Sequence, residues 1–526
     1  MKNQCSFALS TNLRGLFRVL SVFSQLIIAL FICFSIFINP KQTSAETNDQ
    51  PNVLFIAVDD MNDWGGLVRG YKGKVHLPNI KRLNAMGLSF ENAYTASPVC
   101  CPSRTAVMLG KRPSTTGIYN NGQWWLPHMP DAISLPMAFK DNGYMVMGAG
   151  KIFHHTAGFN PPLQWDEFHR LVFNDDPWFR GKKLNYPWSK FEKNPKGYPF
   201  SGLAGVPHEG DWGVIPGLKE SDYDDFKTVD YVVSKLNKKH QKPFFLACGI
   251  FRPHLPWYAP KKYFDLYPKE QIKLPEVLKN DLDDVPKEGR ELAAFRRGDF
   301  LNIKKNGKWK EAVQAYLACI SFADAQLGRV LDALEKSSHV KNTIIIFWSD
   351  HGWHLGEKNH WHKSTLWEEA TRIPFTVVAP GIIQPGSNCK RPVDTLCIFP
   401  TLVELCKLKP VLDLDGVSIV PLLKEPNKEW GIPAVSEFRR GQCSVRSERY
   451  RYIQYSDGTS ELYDHYDDPN EWNNLSSSKT KEIIKSLSRF VPRKFAENAP
   501  SKRAYEFDPH SYEWIHKQTG TKTSGK

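Results

Sequence analysis

The chain has 526 residues, 41% hydrophobic and 24% charged, with a formal net charge of +13. That is material for one large domain with a smaller one or a long extension, and it excludes a small module stapled by disulfides. The basic balance suits an anionic partner; with no nucleic-acid motif in the chain, nucleic acid is not expected to be that partner.

Residues 1–45 read as a targeting leader. Arg14 and Arg18 precede an apolar run from Val19 to Ile38, and Thr43-Ser44-Ala45 offers small residues for cleavage. Export is therefore expected, to a periplasmic, secreted or lysosome-like compartment. The run is long enough to span a bilayer, so an uncleaved leader is the one membrane attachment expected. Its cations, Lys2, Arg14, Arg18 and Lys41, have no acid among them; removing the leader lowers the net charge to +9. Of ten cysteines, Cys5 and Cys33 fall in the leader, and the irregular spacing of the other eight gives no disulfide framework.

Asn52–Val58 is a continuous apolar run, as in a strand buried on both faces of a parallel sheet, and it ends in Asp59-Asp60. The pattern recurs. Tyr144–Gly148 leads to Lys151 and His154, Phe244–Cys248 to Arg252-Pro253-His254, and Thr343–Trp348 to Asp350-His351. Phe375–Ala379 is a fifth run. Helical periodicity covers Asn79–Met86, Leu135–Asn142, Phe226–Lys239 and Lys310–Lys336. This alternation predicts an α/β fold with a large, mainly parallel sheet flanked by helices, whose ligands bind beyond the carboxyl ends of the strands. Trp165–Tyr223 reads as a long insertion over that face. After Pro421 the short runs Ala434–Phe438, Gln442–Val445, Tyr450–Tyr455 and Glu461–Tyr463 predict a small antiparallel sheet, followed by a helix over Lys481–Phe490. From about Ser501 the chain reads as a loosely held polar tail. The expected organisation is a leader (1–45), a main domain (46–428) and a small α+β subdomain with the tail (429–526).

Four predicted strand ends carry Asp, Lys or His. Asp59-Asp60 and Asp350-His351 together offer three carboxylates and an imidazole, a set in which hard oxygen ligands select calcium or magnesium. Taken alone, adjacent aspartates at a turn often do no more than cap it. Trp124, Trp125, Trp257, Trp353 and Trp361 lie near these residues and are read equally as sugar-stacking platforms or as core.

Cys100-Cys101-Pro102-Ser103-Arg104, with Gly110-Lys111-Arg112 following, resembles the signature of the type I sulfatases. In that family a dedicated generating enzyme oxidises the motif cysteine to formylglycine. The Cys-x-Pro-Ser-Arg spacing selects Cys100, since counting from Cys101 puts Ser103 at the proline position. The resemblance implies a hydrated aldehyde, one hydroxyl of which attacks sulfur while loss of a proton from the other later expels sulfate. Asp59, Asp60, Asp350 and His351, with the modified Cys100, match the positions that hold one calcium ion in the family, where many members have asparagine in place of His351. Arg104 matches the arginine that holds the aldehyde. Lys151 and His154 match the pair contacting diol and sulfate, with His155 the less favoured histidine. His254 matches the histidine that points at sulfate and Lys363 the lysine that stabilises the leaving oxygen, which makes both candidates for leaving-group protonation.

The likeness spans about residues 50–475 and is nearest the iduronate-2-sulfatase branch, in Val58-Asp59-Asp60, Gly150-Lys-x-Phe-His154 and Ser349-Asp-His-Gly-Trp353. It implies a sulfatase acting on a sulfated saccharide. Two alternatives stay open: a phosphonate or phosphate monoester hydrolase of the wider alkaline-phosphatase superfamily, and a binding protein that has lost catalysis.

Overall fold

A computed structural model describes residues 50–65, 71–169, 197–203 and 210–526. The leader and most of the long insertion lie outside the described residues. No helix among those described is long and apolar enough to cross a membrane.

The main sheet has eight strands: β1 (Asn52–Asp59), β2 (Leu88–Phe90), β3 (Met145–Gly150), β4 (Glu167–His169), β5 (Phe244–Pro253), β6 (Thr343–Ser349), β7 (Phe375–Val378) and β8 (Ser387–Cys389). Their order is β8-β2-β7-β6-β1-β5-β3-β4. Strands β6, β1, β5 and β3 are adjacent and mutually parallel. Among the described strands of this sheet, only β7 runs against its neighbours. The expected mainly parallel sheet is present, and the four runs that ended in Asp, Lys or His form its centre.

Strand β1 is buried along its whole length because both its faces are covered. Leu54, Ile56 and Val58 join one core cluster, and Val53, Phe55 and Ala57 join another on the opposite face. Helices α1 (Pro78–Met86), α2 (Cys100–Leu109), α3 (Leu135–Asp141), α4 (Asp224–Leu236), α5 (Trp309–Lys336) and α6 (Ile398–Leu405) cover the sheet. α1, α4 and α5 pack on the first face, α2, α3 and α6 on the second. The eight cysteines of the described chain are all free and buried.

A second sheet, β9 (Ala434–Glu437), β10 (Cys443–Arg446), β11 (Tyr450–Gln454) and β12 (Ser460–Asp464), is an antiparallel meander. One face packs on α7 (Lys481–Ser488) through Leu487. The other places Ile453 and Tyr463 against Leu366, Trp367 and Val99. Val99 immediately precedes Cys100, so the small sheet backs the loop that leads into α2.

The polar tail is a correction. Residues 505–524 form β13 (Tyr505–Asp508), β14 (Glu513–His516) and β15 (Lys522–Ser524). Tyr505, Tyr512 and Trp514 belong to the same core cluster as α2 and α3. Trp514 is fully buried, 6.1 Å from Trp124 between ring centroids. Main-chain bonds from Ala499 to Gly117, Lys502 to Gly122 and Leu163 to Gly525 tie the segment down. Alternation such as Tyr-Glu-Phe-Asp hides its apolar residues among charges, which is why the stretch reads as polar. Trp514→Ala should cost about 3–5 kcal/mol by the usual penalty for truncating a core aromatic, measured by urea unfolding; a change below about 1 kcal/mol would show that the sheet does not share the core.

Candidate active site

The carboxyl ends of β1, β5, β3 and β6 converge. Along a strand, neighbouring side chains point to opposite faces. Asp59 and Asp60 escape that rule because Asp60 takes a left-handed φ of 60°, a conformation aspartate tolerates better than most residues. Three bonds hold it there. Its N–H donates to Asp350 Oδ1 at 3.0 Å, Met61 N donates to Ser349 Oγ at 3.0 Å, and Tyr316 Oη donates to its carbonyl at 2.7 Å. Glycine is required where β3 meets β5: a Cβ on Gly249 would lie 2.3 Å from the Lys151 carbonyl oxygen, and one on Gly150 2.1 Å from the Gly249 carbonyl oxygen. That close approach delivers Lys151 to Asp59 Oδ2, with which it makes a short ion pair.

Cys100 is the first residue of α2 and is buried. Its Sγ lies 3.0 Å from Lys363 Nζ, 3.4 Å from His351 Nε2 and 3.9 Å from Asp60 Oδ1. Arg104, one turn further along α2 and wholly buried, turns back to the same centre. Its Nε donates to Asp350 Oδ2 at 2.8 Å and its Nη2 to Asp59 Oδ1 at 3.1 Å. Its Nη1 donates to the carbonyls of Lys151 and Ile152. Thr95 and Ser103 hydroxyls both donate to the Asp350 carbonyl, which sets the direction of that residue.

Asp60, Cys100, Asp350 and His351 offer ligand atoms that all lie within 4.8 Å of one another, and so do Asp59, Asp60 and His254. The set fits a metal ion. Asp60 Oδ2 is buried with no hydrogen-bond partner. His351 Nδ1 lies 3.1 Å from the Gly352 carbonyl; donating there fixes the tautomer whose Nε2 lone pair faces the carboxylates, the form a metal needs. Burial lowers the pKa of His351, keeping it neutral. Burial, with Asp350 beside it, pushes Asp59 up to about 7, and burial pushes Asp60 up to about 6. Dry, crowded carboxylates of this kind are what a bound cation relieves.

Lys363 supplies one cation already, 2.6 Å from Asp60 Oδ1. Burial works against its charge, but Asp60, Cys100, Asp59 and Asp350 hold its pKa above the ordinary lysine value. His254 directs Nδ1 at the Leu255 carbonyl, 2.6 Å away, and Nε2 at Asp60 Oδ2, 3.7 Å away. His154 Nδ1 meets Thr156 Oγ1 at 3.4 Å. His155 lies tilted beside it, ring centroids 4.3 Å apart, and its ring also lies 6.3 Å from that of His254. Burial first, then nearby cations, lowers all three histidines well below 6.5.

Every residue singled out from the sequence is thus in or beside one site, which opens into a cavity of about 640 Å³. The tryptophans are a correction. Trp124, Trp125, Trp257 and Trp361 are buried and take no part in the cavity wall, as the core reading has it, whereas Trp353, though buried too, lines that wall. The cavity wall also includes Arg296, His362, Ser364, Lys502 and Arg503, which carry no motif that could have singled them out.

Comparison with known proteins agrees with this geometry. A family described as Sulfatase matches residues 51–408, and the C-terminal part of N-sulphoglucosamine sulphohydrolase matches residues 356–495. A sulfatase of Formosa agariphila is 40% identical over 489 residues, covering 90% of this chain and 92% of that protein. Human iduronate 2-sulfatase is 29% identical over 437 residues, covering 75% and 74%. A protein solved in complex with its substrate D-glucosamine-2-N,6-O-disulfate has a TM-score of 0.63 at 20% identity, with 84% of this chain and 97% of that chain covered. The phosphonate monoester hydrolase of Silicibacter pomeroyi reaches 0.68 at 20% identity, covering 84% and 94%. At that identity the two solved structures show a shared fold. With its family match over most of the chain, the protein belongs to the sulfatase family and is a hydrolase of sulfuric esters.

Proposed function

We propose that the protein removes sulfate from a sulfated saccharide, in the manner of the iduronate-2-sulfatase branch, with Cys100 oxidised to formylglycine and one calcium ion held by Asp59, Asp60, Asp350, His351 and residue 100. The observation that carries this reading is the position of Cys100. It stands at the N-terminus of α2, within 3.4 Å of Lys363 and His351, above four parallel strand ends. A helix N-terminus with a lysine beside it favours an anion.

Once oxidised and hydrated, residue 100 supplies a nucleophilic hydroxyl and a second hydroxyl through which sulfate can later be expelled. Calcium supplies charge neutralisation at the sulfate oxygens. Arg104 and Lys151 hold Asp59 and Asp350 in place. Lys363, kept protonated by its carboxylates, offers a fixed positive charge to the oxygen that leaves sulfur. His254 lines the cavity with its Nε2 toward Asp60, and an incoming sulfate would favour its protonated, donating form. His154 stands ready to take the proton whose loss releases sulfate. A formylglycine-generating enzyme is the partner required for maturation, and an exported compartment, reached through the leader, is where extracellular sulfated saccharides would be met.

Maturation is checked by peptide mass spectrometry of chain made beside a generating enzyme. Residue 100 should lose sulfur and gain an aldehyde, whereas Cys101, whose Sγ faces the Gln123 carbonyl inside the core, should stay a thiol. Modification at Cys101 would overturn the assignment.

Calcium binding is checked by calorimetry on the purified protein. Asp60→Asn and Asp350→Asn each remove one charge from the ion's surroundings and should weaken binding at least about tenfold, since ligand charge sets affinity at such sites. Parent-like affinity in both would exclude this ion site.

The roles of Lys363, His254 and His154 are separated by leaving group. Loss of a general acid costs about a hundredfold to ten-thousandfold when the leaving group is poor. Lys363→Ala and His254→Ala should therefore suffer far more on a sugar sulfate than on an aryl sulfate. His154→Ala should slow both and accumulate enzyme carrying an extra sulfate, visible by quenched-reaction mass spectrometry. Equal losses on both substrates in all three variants, with no adduct, would contradict these roles.

A further inference from the structure

The cavity beside Cys100 is lined by basic, polar and apolar residues, and among the described residues no carboxylate lines it. Deep in it stand His154, His155, His254 and Lys363. At its mouth are the exposed Arg296 and Arg503, with Lys502 next to the latter. Arg296 comes from a left-handed turn at the start of the helix Arg297–Lys305, and Lys502 and Arg503 come from the approach to β13. Cations from two distant parts of the chain thus meet at one opening. Arg296 and the cavity-lining His362 both lean on Asp299, at 3.7 and 3.6 Å; Arg296, Lys502 and Arg503 still outnumber that one carboxylate, an arrangement an anion relieves.

Lys502 is held in a setting that suits its charge. The residue is only 6% exposed. Its Nζ donates to Thr156 Oγ1 at 2.8 Å and lies 4.5 Å from the ring centroid of Phe159 and 5.4 Å from that of Trp124. Thr156 in turn touches His154. The ammonium is close enough to the reacting centre to help lower His154 and His155. The segment bearing Lys502 is anchored by Trp514 and Tyr512 in the core, and it lies beyond residues 51–408 and 356–495, which the family matches cover.

We propose that Lys502 and Arg503, with Arg296 across the mouth, form a subsite for a second anionic group of the substrate, a carboxylate or a further sulfate on the same or the adjoining sugar. The inference rests on the saccharide-desulfating function proposed above and narrows it: the preferred saccharide is polyanionic. Arg503 and Arg296 present their guanidinium groups from solvent, while Lys502 supplies a fixed charge nearer the scissile group. A substrate with one sulfate satisfies only the inner cations.

The test compares the parent with Arg503→Ala, Lys502→Met and Lys502→Arg. Three disaccharides are used: one with a single sulfate, the same with a second sulfate, and the same with a carboxylate. A hydrogen bond to a charged group carries roughly a ten- to hundredfold effect on affinity. Arg503→Ala and Lys502→Met should lose at least about tenfold more kcat/KM on the doubly charged disaccharides than on the singly sulfated one, mostly through KM. Lys502→Arg should retain most of the parent's preference. Whichever doubly charged disaccharide shows the larger loss identifies the second group. A second measurement is the inhibition of aryl sulfate turnover by sucrose octasulfate, which should weaken about tenfold in the two charge-removing variants. Equal losses on all three disaccharides, or an unchanged inhibition constant, would overturn the subsite. If the parent cleaves the aryl sulfate and no saccharide, the saccharide function fails, while the inhibition constants still decide whether the subsite exists.

Discussion

Arg104 is the residue on which the site depends. Its guanidinium reaches Asp59 at the end of β1, Asp350 at the end of β6, and the main chain just beyond β3. One buried cation thereby fixes three strand ends against the helix that carries Cys100. Its planar fork suits this task, and lysine could not make the same set of bonds. The cost of burying its charge is offset because both carboxylates it meets are equally dry. Removing it would take from Asp350 its guanidinium partner and leave Asp59 to Lys151.

The surrounding charges follow from the same constraint. Three aspartates end two buried strands, where water cannot screen them. Arg104, Lys151 and Lys363 neutralise part of that charge, and burial lifts the pKa of Asp59 and Asp60. Asp60 still has a buried oxygen without a hydrogen bond, and His351 presents a lone pair beside it. The centre is therefore built to accept a cation at its base and an anion above it, while the histidines beyond remain neutral. A sulfate ester meets the second half of that requirement.

Much of this was legible because buried strands announce themselves. Asn52–Val58 and Thr343–Trp348 are uninterrupted apolar runs, so the Asp pairs that end them had to lie at one edge of a sheet. Motif spacing distinguished Cys100 from Cys101; in the structure Cys100 faces Lys363 and Cys101 faces the core. What stayed hidden depended on distant contacts. The left-handed turn at Asp60 exists because Ser349 and Tyr316 stabilise it. Of the tryptophans near the motifs, Trp124, Trp125, Trp257 and Trp361 turned into the core while Trp353 lines the cavity, a division that a sequence alone does not show. The C-terminal strands alternate apolar and charged residues over only a few positions, too briefly to stand out, yet they place Lys502 at the cavity. The reversed direction of β7 leaves no trace in its composition.

Catalysis by residue 100 requires attack at sulfur rather than at the carbon of the sugar. Hydrolysis in water enriched in heavy oxygen measures this directly, with mass spectrometry of both products. Attack at sulfur predicts the heavy oxygen in the released sulfate, and a sugar hydroxyl that keeps the oxygen it had in the ester. Heavy oxygen in the sugar hydroxyl would mean that the carbon–oxygen bond is broken, and would contradict the roles assigned to Cys100 and the groups around it.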